Sequence, residues 1–514
     1  MALDSVHPLY QDMRLDWAKV RDVFRGERHV KAKGKEYLPP TKGMLLDGYG
    51  KATLAGTTNI GLEMYEAYKL RAVLPDYVEE FVEGFMGLLH SNPPVIELPA
   101  ALEPMREKAT QLGESLELLL YRINEEQLVT GRLGLLLDLP KKPDPAMPLP
   151  YIALYVTESI TNWDDGEINE DRSALNMVVL DESSHRRFGF EWTWVSKYRV
   201  LELELLEDDG EGNVKYGNYR QGVFETNGGG SPAYVESDMQ NPKVRGGMLA
   251  EVPFVFINTK DLVANPDKPV ALSLAEACLA IYRGEADYRQ NLFLQGQDTL
   301  VIVGDIKKAA DPNELASTDS GPLRTGTGAM IHLEGGSDAK AEYIGVNSEG
   351  LPEQRTALEN DRLRAQGKSA ALAADASDSN ASGEALRTRV GTRTASLNQI
   401  AKTGAAGLQW ILQCAAKWVG ADPAQVVVTP NLEFADFQLD GATLTQLVAA
   451  RVAGAPLSKE SIHKLMVKGN LTELDFKAEM ELVDAEREED MANAPPAGTT
   501  AGGNPVPAPT NNGA

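Results

Sequence analysis

Apolar side chains recur at helical spacing through residues 57–92, at Tyr65, Tyr68, Tyr77, Val78, Phe81, Val82, Phe85, Leu88 and Leu89. That period is the signature of a helix with one buried face. Pro75 breaks or starts a helix inside the stretch, because its ring removes a donor and fixes φ. Asn92-Pro93-Pro94 stops it, and Val95–Leu98 reads as a short strand. A second helix is predicted over 106–130, with Leu112, Leu116, Leu119, Leu120 and Ile123 on one face. Gly131 then precedes a compact apolar segment, Leu133 to Leu139, closed by Pro140.

The pattern changes between 150 and 258. Short runs rich in β-branched and aromatic residues follow one another: Tyr151–Val156, Asn176–Leu180, Trp192–Val195, Tyr198–Leu203 and Val252–Ile257. Asp208-Asp209-Gly210 and Asn227–Gly230 supply turns. An antiparallel β block of about 100 residues is predicted there.

At 273 the helical period returns. Ser273 and Glu276 have the spacing of a capping box. Apolar positions 274, 278, 281, 288 and 292 lie beside a second stripe at 275, 279, 282, 286 and 293, forming one wide face. Gly296 ends the helix, and strands are predicted at 299–303, 329–333 and 341–346 around a Gly/Pro/Ser-rich loop at 305–328. A further helix runs from Pro352 to about Gln366. Residues 369–382 are small and polar, as in a flexible loop. From 383 to 420 the chain is helical again, with heptad series Val390, Leu397, Gly404, Ile411, Trp418 and Leu386, Arg393, Ile400, Gly407. Gly391, Gly404 and Gly407 favour bending, and Gly420 and Pro423 stop the helix. Helices from Ser458 and from Leu474 to about Asp490 complete the pattern. The last 22 residues, 493–514, carry no charged side chain and cannot bury enough to order themselves.

Charge narrows the function classes. The chain of 514 residues carries 50 Lys and Arg against 75 Asp and Glu, a net charge of −25. A uniformly basic nucleic-acid binder is excluded, but an acidic wall past which DNA slides is not. Two cysteines, Cys278 and Cys414, make neither a disulfide scaffold nor a multi-cysteine metal site. Both fall in apolar helical patterns, where they read as core. The N-terminus lacks the basic-then-apolar order of a secretory signal, and no stretch approaches 18 apolar residues, so no membrane partner is expected.

Catalytic signatures are absent or broken. Gly367-Lys368-Ser369 resembles the end of a phosphate-binding loop, but Arg362 stands where its first glycine belongs. Gly326-Thr327-Gly328 lacks the third glycine of a dinucleotide fingerprint. No two of the six histidines are three or four residues apart, so no helical metal face exists, and no Gly-x-Ser-x-Gly elbow appears. No cofactor is expected. A carboxylate enzyme without a local signature stays open.

The order of elements resembles the portal protein of tailed double-stranded DNA bacteriophages: an α+β block, a long helix, a small β insertion, a second helix, a small-residue loop and a long bent helix. The wording is similar too, at Tyr65-Glu66-Ala67-Tyr68, Ser91-Asn92-Pro93-Pro94, Glu158–Trp163 and Lys197–Leu201. Further matches are Ile281–Tyr288 running to Gln295-Gly296-Gln297, and Ser382–Leu386. The resemblance covers most of residues 10–485. Asp298, where an apolar residue or Pro is expected, and the long uncharged tail depart from it.

The resemblance implies an α+β portal fold. It comprises a wing (1–267), first stem helix (268–295), clip (296–347), second stem helix (348–368), tunnel loop (369–382) and tunnel helix (383–420). A wing return and helical crown (421–492) and a disordered tail (493–514) complete it. It implies a non-enzymatic ring of about twelve copies at one capsid vertex, in the virion and in the host cytoplasm during assembly. Double-stranded DNA passes through the ring. Terminase large subunit and head–tail adaptor dock on the clip, and major capsid and scaffolding proteins on the wing. Candidate DNA-facing residues are Arg387, Arg389 and Arg393, with Asp375, Asp378, Ser377 and Ser379 in the loop. The three arginines could equally pair with acids across subunits. Candidate interface residues are Leu274, Cys278, Leu279, Ile281, Tyr282, Tyr288 and Leu292, although the same face would serve a monomer's core. The alternatives are an α+β enzyme with an unrecognised carboxylate site and another virion structural protein.

Overall fold

A computed structural model describes residues 3–52, 58–140, 150–169, 172–173, 175–208, 214–228, 230–295, 299–303, 305–307, 332–334, 340–344, 350–373, 383–432, 441–468, 471–472 and 474–493. Its elements begin with helices α1 (Pro8–Phe24), α2 (Glu27–Lys33), α3 (Lys42–Leu46), α4 (Ile60–Arg71) and α5 (Tyr77–Leu89). Strand β1 (Val95–Glu97), helix α6 (Leu116–Val129) and strand β2 (Arg132–Asp138) follow. Then come β3 (Tyr151–Val156), β4 (Ile160–Asp164), β5 (Glu167–Asn169), β6 (Arg172–Ser173), β7 (Met177–Asp181) and β8 (Ser184–Phe188). The β region closes with β9 (Glu191–Asp208), β10 (Val214–Asn227), β11 (Lys243–Val244), β12 (Gly247–Met248) and β13 (Phe254–Asn258). The next part runs α7 (Leu272–Gln295), β14 (Thr299–Val303), β15 (Asp305–Lys307), β16 (His332–Glu334), β17 (Lys340–Ile344), α8 (Gly350–Ala373), α9 (Gly383–Val419) and β18 (Val427–Thr429). Helices α10 (Gly441–Val452), α11 (Lys459–Lys468) and α12 (Phe476–Asn493) end it. The chain is mixed α+β and divides into two units, 1–432 and 433–514.

The first unit is layered around β2. This strand is central in the antiparallel sheet β13-β2-β3 and is buried along its whole length. Side chains alternate across a strand, so β2 serves two cores. Leu133, Leu135 and Leu137 join Ile257, α6 and α9 on one side. Leu136 joins Phe254, Phe256 and Trp163 on the other, against the antiparallel sheet β10-β9-β7-β4. Gly134 is required on that second face: a Cβ there would lie 2.1 Å from the Phe254 ring. Arg132 shares the face. Its guanidinium sits 4.1 Å from the Trp163 ring and 4.4 Å from Phe256 and donates to the Ala264 carbonyl at 2.6 Å. Burial pulls its pKa down to about 9.

Four local expectations are corrected. The helix predicted from 106 begins at Leu116, because Gly113 adopts φ +78° and the Ser115 hydroxyl caps the Leu118 N–H at 3.2 Å. Leu112 is consequently 87% exposed. The two runs at 192–195 and 198–203 are one strand, β9, held together by pairing on both edges. Ser273 lies inside the first turn of α7 rather than at its cap, and Glu276 pairs with Lys19 at 3.2 Å instead of closing a capping box. Residues 305–307, expected in a loop, form β15 against β16.

In the second unit, Ile462 and His463 of α11 are buried, and the His463 ring meets Phe476 of α12 edge-on at 5.5 Å. Among the described residues, no helix is long and apolar enough to cross a membrane.

Candidate functional site

The segment from α7 to α9 combines the three longest helices among the described residues with a four-strand β insertion, β14–β17, between α7 and α8. Helix α7 packs against α1, α4, α5 and α8. Its contacts with α8 run in opposite directions. The Lys368 ammonium donates to the Ser273 carbonyl at 3.2 Å, Arg362 bonds Glu285, and the Asn291 amide donates to Gln354 at 3.1 Å. The helices are therefore an antiparallel pair. Gly284 permits the approach, since a Cβ there would stand 2.8 Å from Leu358 Cδ2.

Glu285 is the electrostatic centre of this seam. Its side chain is only 4% exposed and accepts from Arg289 at 2.6 Å as well as from Arg362. A buried carboxylate needs such partners, and here they come from one turn along α7 and from α8. Elsewhere on α7, Tyr68 donates to Asp287 at 2.6 Å and Arg71 to Gln290 at 2.8 Å. These polar bonds fix α7 on α4 beside the apolar contact.

Beyond Gln295 the chain enters two antiparallel ladders. Thr299–Val303 pairs with Lys340–Ile344, from Thr299 opposite Ile344 to Val303 opposite Lys340. Asp305–Lys307 pairs with His332–Glu334. Both ladders nest between the end of α7 and the start of α8. Residues 308–331, which hold most of the loop predicted at 305–328 and the start of the strand predicted at 329–333, lie outside the described residues.

Helix α9 has 37 residues, about 55 Å at 1.5 Å per residue. Leu397, Ile400, Ile411 and Trp418 of the predicted heptads are buried. A polar knot ties the helix down: Gln127 of α6 donates to Thr403 at 2.9 Å and to the Asn258 carbonyl at 2.7 Å. Gly404 makes room for it, because a Cβ would fall 2.6 Å from Asn124.

The predicted residues fall into three groups. Leu274, Cys278, Leu279, Ile281 and Tyr282 are at most 2% exposed within a single chain, so their burial is complete without a second copy. Tyr288 is half-buried and Leu292 is 42% exposed. Arg387, Arg389 and Arg393 fall in the first three turns of α9. Asp375, Ser377, Asp378 and Ser379 lie outside the described residues. Residues 369–373, predicted to open the loop at 369–382, instead continue α8, their three alanines and one leucine being strong helix formers; residues 374–382 lie outside the described residues. The pairing of Glu285 with its two arginines escaped notice in the sequence, although Glu285 lies in the Ile281–Tyr288 match and Arg362 was named for another reason. The Glu285–Arg289 spacing of four was a local signal, but Arg362 had none.

The chemistry of these elements is structural. Burial raises both Cys278 and Cys414 to about 12, which leaves them as protonated thiols at neutral pH. Among the described residues, no three His, Cys, Asp or Glu side chains converge as a metal site. A cavity of about 460 Å³ beside β13 is lined chiefly by Leu, Val, Ala and Phe, with Trp410, Asp165 and Glu251 also among its lining residues.

No curated protein matches this sequence. Solved structures similar to it include the neck of a native GTA (gene transfer agent) particle computed with C12 symmetry, at 14% identity and TM-score 0.34 over 82% of this chain and 97% of that one. The neck of an empty GTA particle computed with C6 symmetry is similar at 15% identity and TM-score 0.34, over 83% and 97%. Residues 271–419 match the protein family described as a domain of unknown function, DUF4055. That match opens one residue before α7 and closes on the last residue of α9, so what this chain has in common with DUF4055 is the helical pair, its nested ladders and the long helix.

Proposed function

We propose that this chain is a portal subunit: about twelve copies form a ring at one vertex of a phage-like capsid, and double-stranded DNA passes along its axis during packaging and ejection. The carrying observation is the antiparallel α7–α8 pair whose far end opens into nested β ladders, followed by a 37-residue helix packed on the β2 sheet. In the portal resemblance these are the two stem helices, the clip and the tunnel helix. Residues 1–267 then serve as the wing, facing capsid and scaffolding proteins, and 421–492 as wing return and crown.

The protein's role in this reading is mechanical, with ATP hydrolysis left to the terminase large subunit. Terminase and, later, the head–tail adaptor dock on the ladders at 299–344. Cations on a channel wall hold DNA by releasing its counterions, so a wall over which DNA moves is best kept poor in fixed cations. A net charge of −25, repeated about twelvefold, fits that requirement. Arg387, Arg389 and Arg393 at the start of α9 are the guiding cations, and Asp375, Ser377, Asp378 and Ser379 line the constriction. Leu292 and Tyr288 remain as interface residues on α7.

Light scattering and negative-stain electron microscopy of the purified chain test the reading. The expected result is a ring with an axial hole and about twelve times the chain mass. A monodisperse monomer or dimer at all accessible concentrations overturns it.

A further inference from the structure

Helix α1 opens on a histidine. His7 is its N-cap, and its Nδ1 accepts from the Leu9 N–H at 3.2 Å. The His7 N–H donates to the Thr161 carbonyl of β4 at 2.9 Å, and its carbonyl accepts from Gln11 at 3.1 Å. Asn, Ser and Thr are common caps and accept whatever the pH. An imidazole accepts at Nδ1 only while it is neutral, with its proton on Nε2; once protonated, both nitrogens donate. Protonating His7 therefore sets a donor against the Leu9 N–H and a cation at the positive end of the helix.

The surroundings add a fixed charge. The His7 ring stacks on Trp163, with 4.0 Å between centroids and 20° between planes. The Arg132 guanidinium stands 4.1 Å from the centre of the same indole. Two groups cannot share one face at that distance, so Trp163 lies between them. Arg132 is fully buried. Burial, and then the Arg132 charge, hold the His7 pKa below the ordinary 6.5. Asp165 and Asp164, the acids facing the ring from the end of β4 and the residue after it, pull the other way and do not prevail. Both Asp164 oxygens are already engaged, by the Gly166 N–H at 3.1 Å and by the Asn176 amide at 3.2 Å.

We propose that His7 is a proton-operated latch: acid removes the cap of α1 and frees residues 3–7 from the sheet they cross. The segment it holds is a strap. Leu3 is buried with Val179, Val200 and Phe224 on one face of β7, β9 and β10, and the Ser5 carbonyl accepts from Asn162 at 3.3 Å. His7 is the fixed point between this anchor and α1. Release uncovers the three apolar side chains beneath Leu3. A histidine held neutral in the folded state stabilises fully above its unfolded pKa, here 6.5, and loses that contribution as pH falls below it. The latch needs no second copy of the chain and stands apart from the ring reading.

The experiment follows hydrogen exchange of the peptide 1–12 at pH 8 and pH 5 in the full-length wild type, His7→Asn and His7→Ala. The asparagine variant keeps a capping acceptor that does not titrate, and the alanine variant has none. Taking the ratio of wild-type to asparagine rates at each pH cancels the intrinsic pH dependence of amide exchange. The expected result is a ratio that rises about fivefold from pH 8 to pH 5, the equivalent of one lost cap. The wild type at pH 5 should then exchange like the alanine variant, and the same ratio for a peptide within α9 should stay constant. A ratio for 1–12 that does not change with pH overturns the proposal. So does one that falls, which assigns protonated His7 to Asp164 or Asp165 as a clamp that tightens in acid. An equal rise in the α9 peptide also overturns it, because acid then acts on the whole fold rather than on the strap.

Discussion

Gly407 of α9 faces Ile257 of β13 so closely that a Cβ on the glycine would lie 2.3 Å from Ile257 Cδ1. The long helix rests on the central sheet at this point through backbone rather than side chain. Gly407→Ala should therefore destabilise the chain although alanine is the better helix former. The propensity gain is about 1 kcal/mol, and the overpacking cost about 1–3 kcal/mol, so a net loss near 1 kcal/mol is expected in denaturant unfolding. Combining it with Ile257→Ala should give less than the sum of the two losses, because the clash is then gone.

Gly367 offers the opposite case on α8. Nothing lies within 4 Å of a Cβ placed there. Gly367→Ala should raise stability by up to about 1 kcal/mol, seen as a higher unfolding midpoint. A lower midpoint would mean that this face of α8 is covered.

Glu182 makes stability depend on acid. Burial alone would raise its pKa, but the Arg199 charge and hydrogen bonds from Arg199, Lys197 and Tyr155 hold it at about 2, against an ordinary 4.5. A carboxylate depressed in the folded state stabilises fully above its unfolded pKa and loses that contribution as pH falls toward the folded value. The window is thus pH 4.5 down to about 2, and the contribution at neutral pH is about 3 kcal/mol. Glu182→Gln should unfold more easily at pH 7 and show a flatter stability profile across that window. Unfolding curves at several pH values would check both.

Two leucines on α7 separate folding from assembly. Leu279 is 2% exposed in the single chain, so Leu279→Asp puts an unpaired charge into its core at a cost of several kcal/mol. Low soluble yield and a lowered melting temperature are expected before any question of rings arises. Leu292 is 42% exposed, and Leu292→Asp should leave monomer melting unchanged while weakening assembly. Circular dichroism melting and sedimentation distinguish the two outcomes.

The periodicity alone located most elements, because a helical face or an alternating strand must repeat along the chain whatever it packs against. Pro75 between α4 and α5, the stop of α9 at Gly420, and the segment 299–303 as a strand are local matters of φ, donors and pattern. The candidate helices and the stripe on α7 were legible for the same reason. What covers the stripe was not: Leu274, Leu279 and Tyr282 could have served a subunit contact or a core, and only the packing of α1, α4, α5 and α8 made them core. The pairing of Glu285 with Arg362 joins residues 77 apart, and that of β1 with β18 joins Ile96 to Val428. Such partners leave no periodic trace, since each is chosen by the path of the chain. Likewise Trp192 and Trp194 read as ordinary strand residues in sequence. Their exposure follows only from β10 ending at Asn227, one strand away and over thirty residues later.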